Sequence, residues 1–314
     1  MISKALKTKI RKFKDIILRA SKILIVTHQK PDGDAIGSSL AMRMALCSLD
    51  KQVEVSIIDN PPETFSYLPY FFTIKDNFSP LDFDVVIMID CGGWNRTGFF
   101  EDDELNIDWP QSLIIIDHHA NQNLSPGLHI IDSLASSSAQ LVFYIFKEWK
   151  IELSKNAATC IMTGLSTDTG SFKHSNTTVE VFNIASQLME KGASLGKITQ
   201  NVYLGKSIPQ LRLWGATLNK IKQDRELGLI FSVITQKDLE KSGATMDDLE
   251  GVIDLMNTVP GMKATMLLSE GDKGLKGSLR TEDPNVDVSK LAAVFGGGGH
   301  IKAAGFNISQ SAKD

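Results

Sequence analysis

The amino-acid sequence predicts an α/β fold class, with a parallel-sheet N-terminal domain followed by a smaller α+β domain. Runs of branched apolar residues at 23–26, 84–90 and 114–117 stop abruptly on polar residues, as strands buried on both faces of a parallel sheet do. Segments of helical periodicity alternate with these runs, which parallel crossover connections require. Beyond residue 225 the pattern changes to closely spaced strands with short helices, and a chain of 314 residues is longer than one core usually fills.

In chain order, Leu6, Ile10, Phe13, Ile16 and Ile17 recur at helical spacing and predict a leading amphipathic helix over residues 2–20. The first strand, 23–26, runs into Thr27-His28-Gln29-Lys30-Pro31-Asp32-Gly33-Asp34, and residues 35–49 continue as a helix rich in small and apolar residues. Residues 53–58 form a second strand, followed by a longer excursion over 60–78 that contains Pro61, Pro62 and Pro69. The third strand, 84–90, ends in Asp90-Cys91-Gly92-Gly93, and the next in Asp117-His118-His119. Helices over 136–149, 156–166 and 178–191 follow, the second running into Thr167-Asp168-Thr169-Gly170-Ser171-Phe172.

The resulting division is a catalytic domain over 1–190, a helical connector over 191–224 broken at Gly196, Gly205 and Pro209, and a second domain over 225–314. In the second domain strands are predicted at 228–235, 263–269, 276–280 and 306–308, with helices over 247–256 and 288–295.

A formal net charge of −4 leaves no global field to attract a polyanion, so binding of long nucleic acid is disfavoured. The basic residues Lys4, Lys7, Lys9, Arg11, Lys12 and Lys14 read as the solvated face of the leading helix. Cys47, Cys91 and Cys160 show no paired spacing, which excludes a disulfide framework or zinc ribbon and fits a reducing cytoplasm. No apolar run is long enough for a signal peptide or a membrane span, so a cytoplasmic protein without membrane association is expected.

His28, Asp32, Asp34, Asp90, Asp117, His118, His119 and Asp168 all fall at the ends of buried elements. Ligands of open α/β sheets bind at the carboxyl edge, where the strand-end residues collect. So many carboxylates placed together cannot all stay ionised without cations between them. Oxygen and imidazole donors without thiolate favour Mn²⁺ or Mg²⁺ over zinc. Asp32 and Asp34, separated only by Gly33, can turn toward two different ions, and a two-metal centre suits in-line phosphoryl displacement by an activated water. Phosphoester hydrolysis is the reaction class that follows.

These four clusters, from Thr27 to Ser38, Asp90-Cys91-Gly92, Asp117-His118-His119 and Thr167-Asp168-Thr169-Gly170, resemble in order and spacing the motifs of the DHH-family phosphoesterases. The likeness extends to Gly277-Ser278-Leu279-Arg280 and to the run from Gly296 to Gly305, which resemble the DHH-associated substrate domain. The resemblance implies that His28 and Asp32 hold one Mn²⁺, that Asp34, His118 and Asp168 hold the other, and that Asp90 bridges them, with Mg²⁺ as a substitute. It further implies that Asp117 orients His118, and that His119 faces the scissile phosphate.

In the second domain the resemblance implies that Gly297, Gly298, Gly299 and His300 present backbone N–H groups to a substrate phosphate at a helix start, with Arg280 as a bidentate partner. The length and the glycine motif resemble the branch of oligoribonucleases that also act on 3′-phosphoadenosine 5′-phosphate. Expected substrates are therefore short single-stranded RNA and nucleoside bisphosphates. Hydrolysis of cyclic dinucleotides or their linear products is the alternative, then of pyrophosphate, and a homodimer is a family-level expectation. His129 and His174 are read as non-catalytic, and the tryptophans as core or connector residues by default, with a place beside the site as the alternative for Trp94.

Overall fold

The computed structural model describes residues 2–79, 82–99, 112–119, 127–271 and 274–309. It divides into two units, Met1–Gly205 and Lys206–Asp314. In the first unit the apolar runs form β1 (Lys22–Val26), β2 (Gln52–Ser56), β3 (Val85–Ile89), β4 (Ser112–Asp117) and β5 (Leu128–Ile131). All five pair in parallel in the order β2-β1-β3-β4-β5, in a register that sets Ile25 beside Ile87 and Ile87 beside Ile114.

The α-helices of this unit among the described residues are α1 (Lys4–Arg19), α2 (Gly33–Cys47), α3 (Ser138–Trp149), α4 (Lys155–Asp168), α5 (Val179–Glu190) and α6 (Leu195–Val202). Because successive strand residues point to opposite faces, Ile23, Ile25, Ile87, Ile89, Ile114 and Ile116 pack into the core that the helices share. Leu24, Val26, Val86, Met88 and Ile115 fill the opposite face, under Trp94, Phe78, Phe83 and Phe99. Strands buried on both sides explain why their sequence reads as continuous apolar runs without alternation.

Strand order reverses between β1 and β3, since β1 connects outward to β2 while β3 leads the other way to β4. At such a switch point the connections diverge and leave a crevice at the carboxyl ends of the two strands. His28 lies just beyond β1 and Asp90 directly after β3, so both stand at this crevice. Helices α2 and α4 close on each other at glycines. A Cβ at Gly37 would lie 2.4 Å from the Cys160 carbonyl oxygen, closer than real Cβ atoms come.

In the second unit β6 (Lys222–Asp224), β7 (Leu229–Ile234), β8 (Ala264–Gly271), β9 (Gly274–Arg280), β10 (Gly298–Gly299) and β11 (Ala303–Ile308) form a mixed sheet in the order β10-β11-β9-β8-β7-β6. Within it β7 and β8 pair in parallel, and the other described neighbours pair antiparallel. Its helices are α7 (Ile208–Asn219), α8 (Gln236–Ser242), α9 (Val252–Met256) and α10 (Val288–Val294). Leu213, Ile234, Leu239 and Leu267 form one buried cluster, and Leu279, Val288 and Phe306 belong to another.

Two helical elements of the second unit differ from the sequence expectation. Helix α8 was not anticipated, although Thr235 and Asp238 cap each other's backbone at its start. The helix expected over 247–256 is a 3₁₀ turn, Met246–Leu249, followed by α9, because Gly251 between them takes φ +86° and breaks the helical path.

Candidate metal centre

Each site residue of the first unit is delivered by the end of an element. Asp32 caps α2, its Oδ1 accepting the N–H groups of Asp34 at 2.9 Å and Ala35 at 3.0 Å. Asp34, in the first turn of α2, is fully buried and points at the start of α3, where Ser138 N–H donates to its Oδ2 at 2.6 Å and Ala139 N–H to its Oδ1 at 2.9 Å. Gly164 of α4 makes this seat, for a Cβ there would lie 2.5 Å from Asp34 Oδ1.

Asp90 adopts φ +56°, the left-handed region that non-glycine residues seldom occupy, and its backbone N–H donates to Ile116 O at 2.9 Å. Asp117 is the last residue of β4, and Asp168 the last of α4.

Together these ends bring the side chains into three overlapping groups. His28, Asp32 and Asp90 each place a ligand atom within 4.8 Å of the others, as do Asp34, His118 and Asp168. Asp90, Asp117, His118 and His119 form the third group. Asp90 joins the sets: its Oδ2 lies 3.6 Å from His28 Nε2, and its Oδ1 3.5 Å from His118 Nε2. His118 Nε2 also lies 3.0 Å from Asp168 Oδ2.

The electrostatics of this cluster are those of carboxylates held together by imidazolium. Burial works against a charged His118, yet its hydrogen bond to Asp168 and the charges of Asp168, Asp90 and Asp34 push it up to about 10. Burial likewise opposes a charged His28, but Asp90 and Asp32 raise it to about 9. For Asp90 burial disfavours the carboxylate, and this is outweighed by the His28 hydrogen bond and by His118 and His119, which hold it well below the usual carboxylate range.

Asp168 is pushed up to about 7 by burial, with Asp32 and Asp90 adding to the repulsion. Asp34 is raised by burial and by Asp168 and Asp90. A site that must borrow protons to balance its acids exchanges them readily for divalent cations. The donor set fits such ions: oxygen and imidazole only, since the buried Cys91 thiol donates to Gly93 O at 3.2 Å.

Asp117 departs from its expected role. Its Oδ1 accepts from the backbone N–H of His119 at 3.0 Å and lies 2.7 Å from His119 Nδ1, so the partner is His119 rather than His118. A carboxylate at a strand end reaches most easily the N–H two residues on, and this local turn carries the His119 ring with it.

Outside the ligand groups, His174 packs its ring over Gly170, where a Cβ would meet it at 2.2 Å, and His129 is half-buried on β5. Trp94 lies in the apolar cluster beneath β1 and β3.

Sequence reading missed two contributors. Ser138, besides its N–H to Asp34, donates its hydroxyl to Asp90 Oδ1 at 3.1 Å. Asn176 Nδ2 donates to Asp168 O at 3.1 Å and to Ser136 O at 3.2 Å, tying the end of α4 to the approach to α3. The run Ser136-Ser137-Ser138, fully buried before an apolar helix, is the signal that was available.

In the second unit Arg280 Nε donates to Asp254 Oδ1 at 3.0 Å, and its Nη1 to Leu279 O at 3.0 Å. The glycine run does not open a helix. Gly298 pairs with Gly305 and Gly299 with Ala304 as a β-hairpin, whose turn is closed by His300 N–H donating to Ala303 O at 2.7 Å. The reason is steric: a Cβ at Gly297 would lie 2.2 Å from Gly305 O, and at Gly299 2.5 Å from Ala303 O, so glycine alone lets the two strands approach this closely.

Comparison with known proteins agrees with this architecture. Residues 22–165 match the DHH family, N-terminal domain, and residues 227–314 match the DHHA1 domain. The chain is 29% identical over 287 residues to the bifunctional oligoribonuclease and PAP phosphatase NrnA of Thermus thermophilus, covering 91% of this chain and 84% of that protein. It is 26% identical over 291 residues to the Bacillus subtilis protein of the same name, covering 91% and 89%.

Among solved structures, an exopolyphosphatase-related protein from Bacteroides fragilis superposes with a TM-score of 0.91 at 30% identity, covering 99% of this chain and 94% of that one. With both domain models matched in order and relatives alike along most of its length, the chain belongs to the DHH family of phosphoesterases, its DHH domain followed by a DHHA1 domain.

Proposed function

We propose that the protein is a divalent-metal-dependent phosphoesterase that releases mononucleotides from short single-stranded oligoribonucleotides and converts 3′-phosphoadenosine 5′-phosphate to AMP. The observation that carries the reading is the position of Asp90, one carboxylate whose two oxygens approach His28 on one side and His118 on the other. That is the arrangement expected of a ligand shared by two ions. His28, Asp32 and Asp90 would hold one, and Asp34, His118, Asp168 and Asp90 the other. Bound there, two Mn²⁺ ions, or Mg²⁺ in their place, would neutralise charge on the phosphate oxygens and lower the pKa of the attacking water.

The remaining steps fall to the chain's own side chains. Asp117 engages Nδ1 of His119, so hydrogen bonding or proton delivery to a phosphoryl or leaving-group oxygen is the task of Nε2. Arg280, with its planar fork of donors, is suited to a terminal substrate phosphate. The relatives named for oligoribonuclease and PAP phosphatase activity, alike over 91% of this chain, support the choice of substrate.

The test is a time course with Mn²⁺ on RNA of about 5 and about 24 nucleotides, 3′-phosphoadenosine 5′-phosphate, cyclic di-AMP and pyrophosphate. A chain of net charge −4 has no global positive field to hold a long polyanion, so the short RNA and the bisphosphate should be hydrolysed fastest. Equal rates on both RNA lengths, or cyclic di-AMP far ahead of either, would contradict the reading.

A further inference from the structure

We propose that Ser138 is a positioning residue that presets the shared carboxylate Asp90 for metal, an inference that rests on the two-ion reading of the same site. Ser138 opens α3, is fully buried, and touches a carboxylate of each ligand set. Its N–H donates to Asp34 Oδ2 at 2.6 Å and its hydroxyl to Asp90 Oδ1 at 3.1 Å. Asp34 has a second donor in Ala139 N–H, whereas the described partners of the Asp90 carboxylate are the side chains of Ser138, His28, His118 and His119.

Those side chains are not equivalent. His28 and His118 both face Asp90 through Nε2, the nitrogen each would use as a metal ligand, and a ligating nitrogen has no proton left to donate. His119 Nδ1, 3.7 Å from Asp90 Oδ1, is engaged at 2.7 Å by Asp117. Among these described partners the Ser138 hydroxyl is the donor that keeps its hold on Asp90 once ions are bound. Asp90 also sits at φ +56°, so a side-chain anchor is needed where the backbone conformation is itself unfavourable.

The neighbouring serines have other duties. Ser137 caps α3 by accepting Gln140 N–H at 3.2 Å, and Ser136 donates its N–H and hydroxyl to Gln140 Oε1 at 2.8 Å and 3.0 Å. Ser138→Ala therefore removes only the hydroxyl to Asp90 and keeps the N–H to Asp34, while Ser137→Ala weakens the same helix start without touching either carboxylate.

The experiment is Mn²⁺ calorimetry on metal-stripped wild type, Ser138→Ala and Ser137→Ala, with kcat and KM for 3′-phosphoadenosine 5′-phosphate. Ser138→Ala should weaken at least one Mn²⁺ site by roughly 10- to 100-fold, the range for partners that orient metal ligands, and lower kcat with KM little changed. Ser137→Ala should lower the melting temperature and leave the isotherm like that of the wild type. A wild-type isotherm for Ser138→Ala, or equal weakening by Ser137→Ala, overturns the inference about Ser138 alone. A wild type that binds no Mn²⁺ overturns the two-ion reading as well.

Discussion

Asp117 Oδ1 accepts the backbone N–H of His119 at 3.0 Å and lies 2.7 Å from its ring Nδ1, so one buried oxygen fixes both the main chain and the imidazole of that residue. Asp117→Asn replaces an acceptor by an amide whose NH₂ can turn toward Nδ1 and favour the other tautomer. It should lower kcat by roughly 10²-fold or more while Mn²⁺ content stays at the wild-type level. Metal analysis of the purified variant checks this, and loss of metal would instead make Asp117 a support of His118.

The seat of Asp34 predicts a second effect. Gly164→Ala would place a methyl 2.5 Å from Asp34 Oδ1 and 2.7 Å from Ala139 Cβ. Forcing α2, α3 and α4 apart should cost about 1–3 kcal/mol. A fall in melting temperature together with weaker Mn²⁺ binding is the expected result. A fall in melting temperature with unchanged Mn²⁺ affinity would show that Asp34 is placed independently of α4.

Substitution of Arg280 tests whether substrate binding is separable from metal binding. It pairs with Asp254 at 3.0 Å, a half-exposed contact of the kind that contributes little to stability. Arg280→Ala should raise KM for 3′-phosphoadenosine 5′-phosphate roughly tenfold or more, the scale of losing a charge-assisted phosphate contact. Asp254→Ala should leave KM unchanged. Equal kinetic effects from the two substitutions would make the ion pair, rather than the guanidinium, the functional element.

Asp238 gives the second unit a defined acid response. Burial works against its carboxylate, but the Lys220 ammonium and the N–H and hydroxyl of Thr235 outweigh it and hold its pKa below the ordinary value. With the folded pKa depressed, the stabilisation is full above the unfolded pKa near 4 and is lost as pH falls through the folded one. Denaturant midpoints should therefore favour wild type over Asp238→Asn at pH 7, with the gap narrowing below about pH 4. A gap that is constant with pH would remove the carboxylate from the account.

Much of this was legible in the sequence because it is encoded locally. Buried parallel strands are apolar on both faces, so β1, β3 and β4 stand out as runs, and the residues that end them, His28, Asp90 and Asp117, reach the carboxyl edge by topology alone. What was hidden depends on partners distant in sequence or on backbone sterics. The contacts of Ser138 with Asp34 and Asp90 join residues 104 and 48 positions apart, and no periodicity announces them.

The glycines at 297–299 look the same whether they open a helix or line a hairpin, and the close approach of Gly305 and Ala303 decides for the hairpin. Asp117 could have served either adjacent histidine, and only the turn geometry selects His119.

Mn²⁺ titration of the metal-stripped chain, wild type beside Asp90→Asn, tests most directly whether two ions share this carboxylate, because among the described residues Asp90 approaches both His28 and His118. Wild type should take up two ions per chain, and Asp90→Asn should lose at least one of them along with nearly all turnover of short RNA. A single ion on the wild type, or an Asp90→Asn variant that binds and hydrolyses as the wild type does, would contradict the two-ion centre.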